Sequence, residues 1–157
     1  MINTNQLKAL ISRTLRKFDL HSGSAVNLLL GTCLQESRGG TYLRQMSNDF
    51  DIGVHAIGIM QMEKNTFDWM LEKYDYKISM LLNSSMNCEG VEFEQLEYNL
   101  ELSILFARLR YLAVPEALPE SEDLRGLANY WKKYYNTIHG AGTVEEFINI
   151  YKKYVLR

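Results

Sequence analysis

The sequence predicts a mostly α, single-domain protein of about seven helices. Apolar residues recur at three- and four-residue spacing through most of the chain. Cap residues and Gly or Pro stops punctuate those runs. Only residues 39–57, "GGTYLRQMSNDFDIGVHAI", lack helical period; they read as an irregular loop or small β-hairpin. A chain of 157 residues suits one domain, and 46% hydrophobic with 23% charged residues can bury a real core. There is no internal repeat and no low-complexity segment.

The first helix is expected near 5–18, with Leu7, Leu10, Ile11, Leu15 and Phe18 on one face and an N-cap between Asn3 and Asn5. A second follows near 23–37, capped by Ser22, striped by Val26, Leu29, Leu30 and Cys33, and stopped by Gly39-Gly40. A third starts near Glu63–Asn65 and runs to about Lys73. Asp75 is positioned to cap a fourth, and Asn87 to Gly90 is a break. A long helix is expected over 92–113, ended by Val114-Pro115. Ser121, with Glu122 and Asp123 in the first turn, opens a sixth near 122–135. Thr143 and Glu146 form a capping box for the last, about 144–155.

Charge and composition exclude several classes. With 17 basic and 19 acidic side chains, the net charge of -2 leaves no electrostatic footprint for nucleic acid. Cys33 and Cys88 lack metal-ligand spacing, so no structural zinc is expected; no other metal and no cofactor is expected either. Cys33 reads as a buried small hydrophobe, and sequence does not decide whether the two cysteines pair. No apolar run approaches a membrane span, so no membrane insertion is expected. "RTLRKFDLHSGSAVNLLLGTC" superficially resembles a lipoprotein signal. Asp19, His21 and Asn27 interrupt it, and Thr32 suits a lipidated Cys poorly; no signal peptide is expected.

Chemistry concentrates at two places. Glu36 falls three residues after Cys33 and seven after Leu29, on the apolar stripe of the second helix and in its last turn. Burial and the negative helix end both disfavour the ionised carboxylate, which makes Glu36 a candidate general acid. The alternatives are a partly exposed helix-end glutamate, or one paired with Arg38 or another cation. Gly58, between a loop and a helix start, can permit close backbone approach. Gln61, among Ile59, Met60 and Met62, must find polar partners, either a ligand or loop backbone.

Together these two places are similar to the lytic transglycosylase (SLT-type) family and its relative, goose-type lysozyme. Glu36-Ser37 match the family's "ES" dipeptide at the end of a buried helix. Gly58-Ile59-Met60-Gln61 match its "G-L-M-Q" segment, with Ile for Leu, and Thr66 matches the stretch that follows. "NLELSILFARLRYL" resembles the family's "N-I-x-x-G-x-x-Y-L" helix: Asn99 and Leu100 fit, Ser103 replaces Gly, and Phe106 replaces Tyr. The "A-Y-N-A-G" motif has two alignments, Ala128 to Trp131 or Tyr135-Asn136, of which the second is favoured. The segment "WKKYYNTIHGAGT" resembles that of phage-encoded members. The resemblance spans about residues 25–137.

The resemblance implies a lysozyme-like domain that cleaves the β-1,4 bond between N-acetylmuramic acid and N-acetylglucosamine in peptidoglycan. Glu36 would act as both acid and base, leaving 1,6-anhydromuramyl ends, with help from the substrate's N-acetyl carbonyl. Ser37, Gly58, Met60, Gln61, Tyr135 and Asn136 would serve the substrate, with Tyr134 as the alternative hydroxyl. The partners implied are peptidoglycan glycan strands and phage tail or virion proteins. The implied setting is the cell wall, reached after delivery from a virion or at lysis. Goose-type enzymes hydrolyse instead, using further acids; Asp49, Asp51 and Glu63 are the candidates for a second carboxylate. Asp49 and Asp51 also suit turn chemistry, and Glu63 a first helical turn. His55, in the same loop, has no role in the family. The other readings are a chito-oligosaccharide hydrolase and a non-catalytic virion or wall-binding module that retains the fold.

The late aromatics, Tyr130, Trp131, Tyr134 and Tyr135, suit either sugar stacking or core packing, and core is expected for most. Phe147, Ile150, Tyr151 and Tyr154 read as the stripe that closes the core.

Overall fold

A computed structural model describes residues 1–44, 55–83, 90–137 and 140–156. Among them are seven α-helices and one π-helical turn. These are α1 (Thr4–Lys17), α2 (Gly23–Ser37), α3 (Lys64–Asn83), α4 (Gln95–Tyr98), α5 (Leu100–Leu112), α6 (Leu124–Trp131), the π turn (Lys132–Asn136) and α7 (Val144–Val155). The mostly α architecture expected from periodicity is the one observed. No described helix is long and apolar enough to cross a membrane.

Local chemistry sets most of the boundaries. Asn3 accepts from the N–H groups of Asn5 and Gln6, and Ser22 from that of Ala25, so both caps satisfy donors that a helix start leaves orphaned. Thr143 and Glu146 form both halves of a capping box at the start of α7. The residue that ends α2 is Arg38, left-handed at φ 50, rather than a glycine; Gly39 and Gly40 follow, also at positive φ.

The break expected between the third and fourth helices is present: α3 is two helical stretches joined at Tyr74, whose backbone leaves the helical region (φ -119, ψ 21) just before Asp75. Two other expected boundaries move. The long helix expected over 92–113 is interrupted at Asn99. Its backbone is extended and its side chain accepts from Leu102 N–H, so it starts α5 afresh. The sixth helix begins after Asp123, which accepts from Gly126 N–H, and turns π-helical at Lys132. In the inserted loop, the described ends form isolated antiparallel bridges, Arg44 with Ile57 and Ile57 with Met62. Asp49, Asp51 and Cys88 lie outside the described residues.

Two apolar clusters fill the interior. The larger surrounds α2, which packs against α1, α5, α6 and α7. Helix α2 is therefore buried from Ala25 to Leu34 apart from Asn27. Gly31 is where α7 comes closest: a Cβ there would lie 2.1 Å from the Phe147 ring. Cys33, a free thiol with no exposure, packs in this cluster, and burial pushes its pKa up to about 12. The smaller cluster joins α3, α4 and α5 through Phe67, Leu96 and Phe106, with Phe93 just before α4 packed on the Phe67 ring. Helix α5 belongs to both, with Ile104, Ala107 and Tyr111 facing one and Leu102, Leu105 and Leu109 the other.

Candidate active site

A cleft of about 350 Å³ opens beside the C-terminal end of α2. Glu36 from the end of α2, Arg110 from α5, and Tyr135 and Asn136 from the π turn line it. Gln61, Glu63 and Thr66, around the start of α3, line its other side, together with Ala56, Thr137 and Gly140. Hollows of 460 and 490 Å³ occur elsewhere on the surface, but neither contains Glu36. Chemistry, rather than size, singles out the cleft.

Glu36 is partly buried, and its Oε1 accepts from the Trp131 indole N–H at 2.8 Å. Burial raises its pKa above the ordinary carboxylate value, and the charge of Glu63 adds to the rise. The Trp131 N–H, then Arg110 and Lys132, pull the other way without cancelling it. An acid thus lies at a cleft wall with its proton held more tightly than usual. Glu63, by contrast, is exposed.

The groups behind Glu36 are held firmly. Trp131 has no exposure and packs on Phe147, ring centroids 5.3 Å apart. Arg110 donates to the Tyr135 carbonyl at 2.7 Å, and its guanidinium lies 4.2 Å from the Tyr135 ring centroid. The π turn widens the chain by about one residue per turn. Within it, Lys132 Nζ donates to Asn136 Oδ1 at 2.7 Å and to the Gly140 carbonyl at 2.8 Å.

The site residues read from sequence separate into two groups. Glu36, Gln61, Glu63, Tyr135 and Asn136 come together in the cleft, as does Thr66. Ser37, Gly58 and Met60 do not line it; the contacts they make are within the protein. Ser37 has no exposure. Its hydroxyl lies 2.7 Å from the Ile59 carbonyl and 3.0 Å from that of Cys33, and accepts Gly40 N–H at 2.9 Å. It fastens the end of α2 to the 57–62 segment. At Gly58 (φ 78) a Cβ would lie 2.2 Å from the Leu96 carbonyl oxygen, so the glycine serves close backbone packing. Met60 is buried, and its carbonyl accepts from Tyr135 Oη at 2.7 Å.

That last bond bears on Tyr135 itself. Its hydroxyl proton is already donated within the protein, and burial raises its pKa. Tyr134, the alternative hydroxyl, instead donates to Glu116. Gln61 holds a positive φ of 46 and donates its amide to the Gly58 carbonyl at 2.8 Å, leaving its oxygen as the acceptor for a ligand. Of the two alignments for the last motif, Tyr135-Asn136 lines the cleft, while Trp131 reaches Glu36 from the core side.

Arg110, Trp131 and Lys132 carry functional geometry that sequence reasoning did not assign. Arg110 had a signal, since a cation inside the apolar run "SILFARLRYL" needs a reason. Among the described residues no cluster of three or more His, Cys, Asp or Glu side chains could hold a metal. Comparison with protein-family models, with curated proteins and with solved structures finds no match for this chain.

Proposed function

We propose that the protein cleaves the β-1,4 glycosidic bond between N-acetylmuramic acid and N-acetylglucosamine in peptidoglycan, as a lytic transglycosylase with Glu36 as general acid and base. The observation that carries the reading is the carboxyl of Glu36. It is raised in pKa, tied on one oxygen and placed on the wall of an open polar cleft. Oε1 accepts the Trp131 N–H, so the acid's proton belongs on Oε2. From there it passes to the departing glycosidic oxygen as the bond from the muramyl anomeric carbon breaks. The carboxylate formed is stabilised by the Trp131 N–H and by the charges of Arg110 and Lys132.

The substrate's 6-hydroxyl then closes on the anomeric carbon, and its proton returns to Glu36. The products are a 1,6-anhydromuramyl end and a free N-acetylglucosamine end. Gln61 and Asn136, with the Arg110 guanidinium, supply polar contacts for the sugars. The setting that goes with this reading is a phage virion or lysis enzyme acting on the host wall.

One observation favours a second reading. Glu63 lies in the same cleft and is exposed, as a base activating water would be. Hydrolysis with inversion would then replace ring closure. The test is mass spectrometry of digested peptidoglycan, with Glu36→Gln as control. Anhydro ends support the transglycosylase; reducing ends support the hydrolase and make Glu63→Gln the next variant. No clearing by the wild type, or clearing by a folded Glu36→Gln protein, removes the enzymatic reading and leaves a wall-binding module.

A further inference from the structure

The outer face of α3 carries exposed aromatic side chains that the cleft chemistry does not use. Trp69 is 48% exposed, Tyr76 79% and Met80 56%. Thr66, Trp69, Lys73, Tyr76 and Met80 follow one another at alternating spacings of three and four residues, which places them in one stripe along the helix. The opposite face is buried through Phe67, Met70 and Ile78. Ile78 lies beyond the kink at Tyr74 and still faces the core, so the kink does not turn the stripe away.

Two properties of the stripe say what covers it. First, it begins in the cleft, because Thr66 is a cleft residue. Second, it presents two exposed rings on one face, Trp69 and Tyr76, one on each side of the kink at Tyr74, so that a polymer lying along the face meets both. Lys73 lies between them with Nζ 5.4 Å from the Trp69 ring centroid, leaving its charge available to a carboxylate or an acetamido oxygen beside the sugars. Pyranose rings present flat C–H faces that stack on exposed indole and phenol rings.

We infer that this face of α3 is a docking platform for a β-1,4-linked glycan strand continuing out of the cleft, so that the protein grips a long polymer rather than a short oligosaccharide. The inference rests on the glycan reading of the cleft but not on catalysis. Its test is sedimentation with insoluble peptidoglycan, comparing wild type with Trp69→Ala/Tyr76→Ala. Tyr98→Ala, which removes a 73% exposed tyrosine outside the stripe, is the control.

The double variant is expected to bind about tenfold more weakly, given two lost stacking contacts. Its melting temperature should be unchanged, and so should its rate on a soluble oligosaccharide short enough to occupy the cleft alone. The Tyr98→Ala protein should pellet like wild type. Equal pelleting of wild type and double variant overturns the platform, as does an equal loss in Tyr98→Ala. Loss of a self-associated species by ultracentrifugation with glycan binding intact also overturns it, and assigns the face to a second copy. If clearing fails but the difference in pelleting persists, the catalytic reading falls and the platform stands.

Discussion

Trp131→Phe tests the hydrogen bond behind the proposed acid. The variant keeps an aromatic ring against Phe147 and removes the N–H that Glu36 Oε1 accepts at 2.8 Å. A hydrogen bond to a charged group contributes about 2 kcal/mol and one to a neutral group about 1, so the donor favours the carboxylate by about 1 kcal/mol. Its loss should raise the Glu36 pKa further, by about a fivefold change in the ionisation constant. If catalysis needs protonated Glu36, the alkaline limb of kcat/KM against pH moves to higher pH. The other groups acting on Glu36 are Arg110 and Lys132, which lower its pKa, and Glu63, which raises it; Tyr111 and Tyr135 also interact with it electrostatically. All of them are retained. The smaller ring also costs about 2 kcal/mol of stability, measurable separately by urea unfolding. A purely structural Trp131 would lower stability and leave the alkaline limb in place. That result, or a limb moved to lower pH, refutes the reasoning.

Three further outcomes follow from the same contacts. Folding raises the Glu36 pKa, so its contribution to stability is present below the ordinary carboxylate value and lost as pH rises through the folded value. Glu36→Gln should therefore be more stable than wild type at pH 7, by about 1.4 kcal/mol for each tenfold change in ionisation constant that folding imposes. The gain should shrink toward pH 4 in urea titrations; an equal gain at both pH values would exclude this cause. Gly58→Ala puts a Cβ 2.2 Å from the Leu96 carbonyl oxygen at φ 78 and should cost more than about 1 kcal/mol, with a lowered melting temperature. Thr32 Oγ1 donates to the Leu28 carbonyl and lies 2.7 Å from Tyr111 Oη. Tyr111→Phe should cost about 1 kcal/mol, whereas Thr32→Val strands the buried Tyr111 hydroxyl and should cost about 2, an order that paired unfolding curves would reverse if the assignment were wrong.

The helices legible in the sequence are those whose ends are set locally. Asn3, Ser22 and the Thr143–Glu146 box act within a few residues, and each occurs where its residue type predicts. The break at Asn99 was hidden because apolar periodicity continues on both sides of it, through Leu96 and Leu102. An Asn inside such a run reads as a tolerated helical residue until its side chain is seen to accept Leu102 N–H. The π turn was hidden for a related reason. Its residues are ordinary helix formers, and the widening depends on tertiary contacts such as Lys132 to Gly140. Gly31 reads as a mild defect in an apolar helix. Its reason, the Phe147 ring, belongs to a helix far along the chain.

The site divides along the same line. Glu36 was legible because both signals, the apolar stripe and the helix end, lie within its own helix. Ser37, Gly58 and Met60 accompany it in the motif yet do not line the cleft. They fasten α2 to the 57–62 segment and hold the 56–61 segment against α4 and the π turn. A motif of this kind therefore mixes the candidate acid with its scaffolding, and sequence spacing cannot separate them. The groups that oppose the burial of Glu36 were not legible, because Trp131, Arg110 and Lys132 come from α6, α5 and the π turn. They weaken the rise in pKa and do not remove it. Under the proposed mechanism, a fully offset carboxyl would stay ionised and donate nothing, and an unopposed one would hold its proton too tightly to give it up. The partial balance suits the role proposed for Glu36, a single residue that gives up a proton and then takes one back.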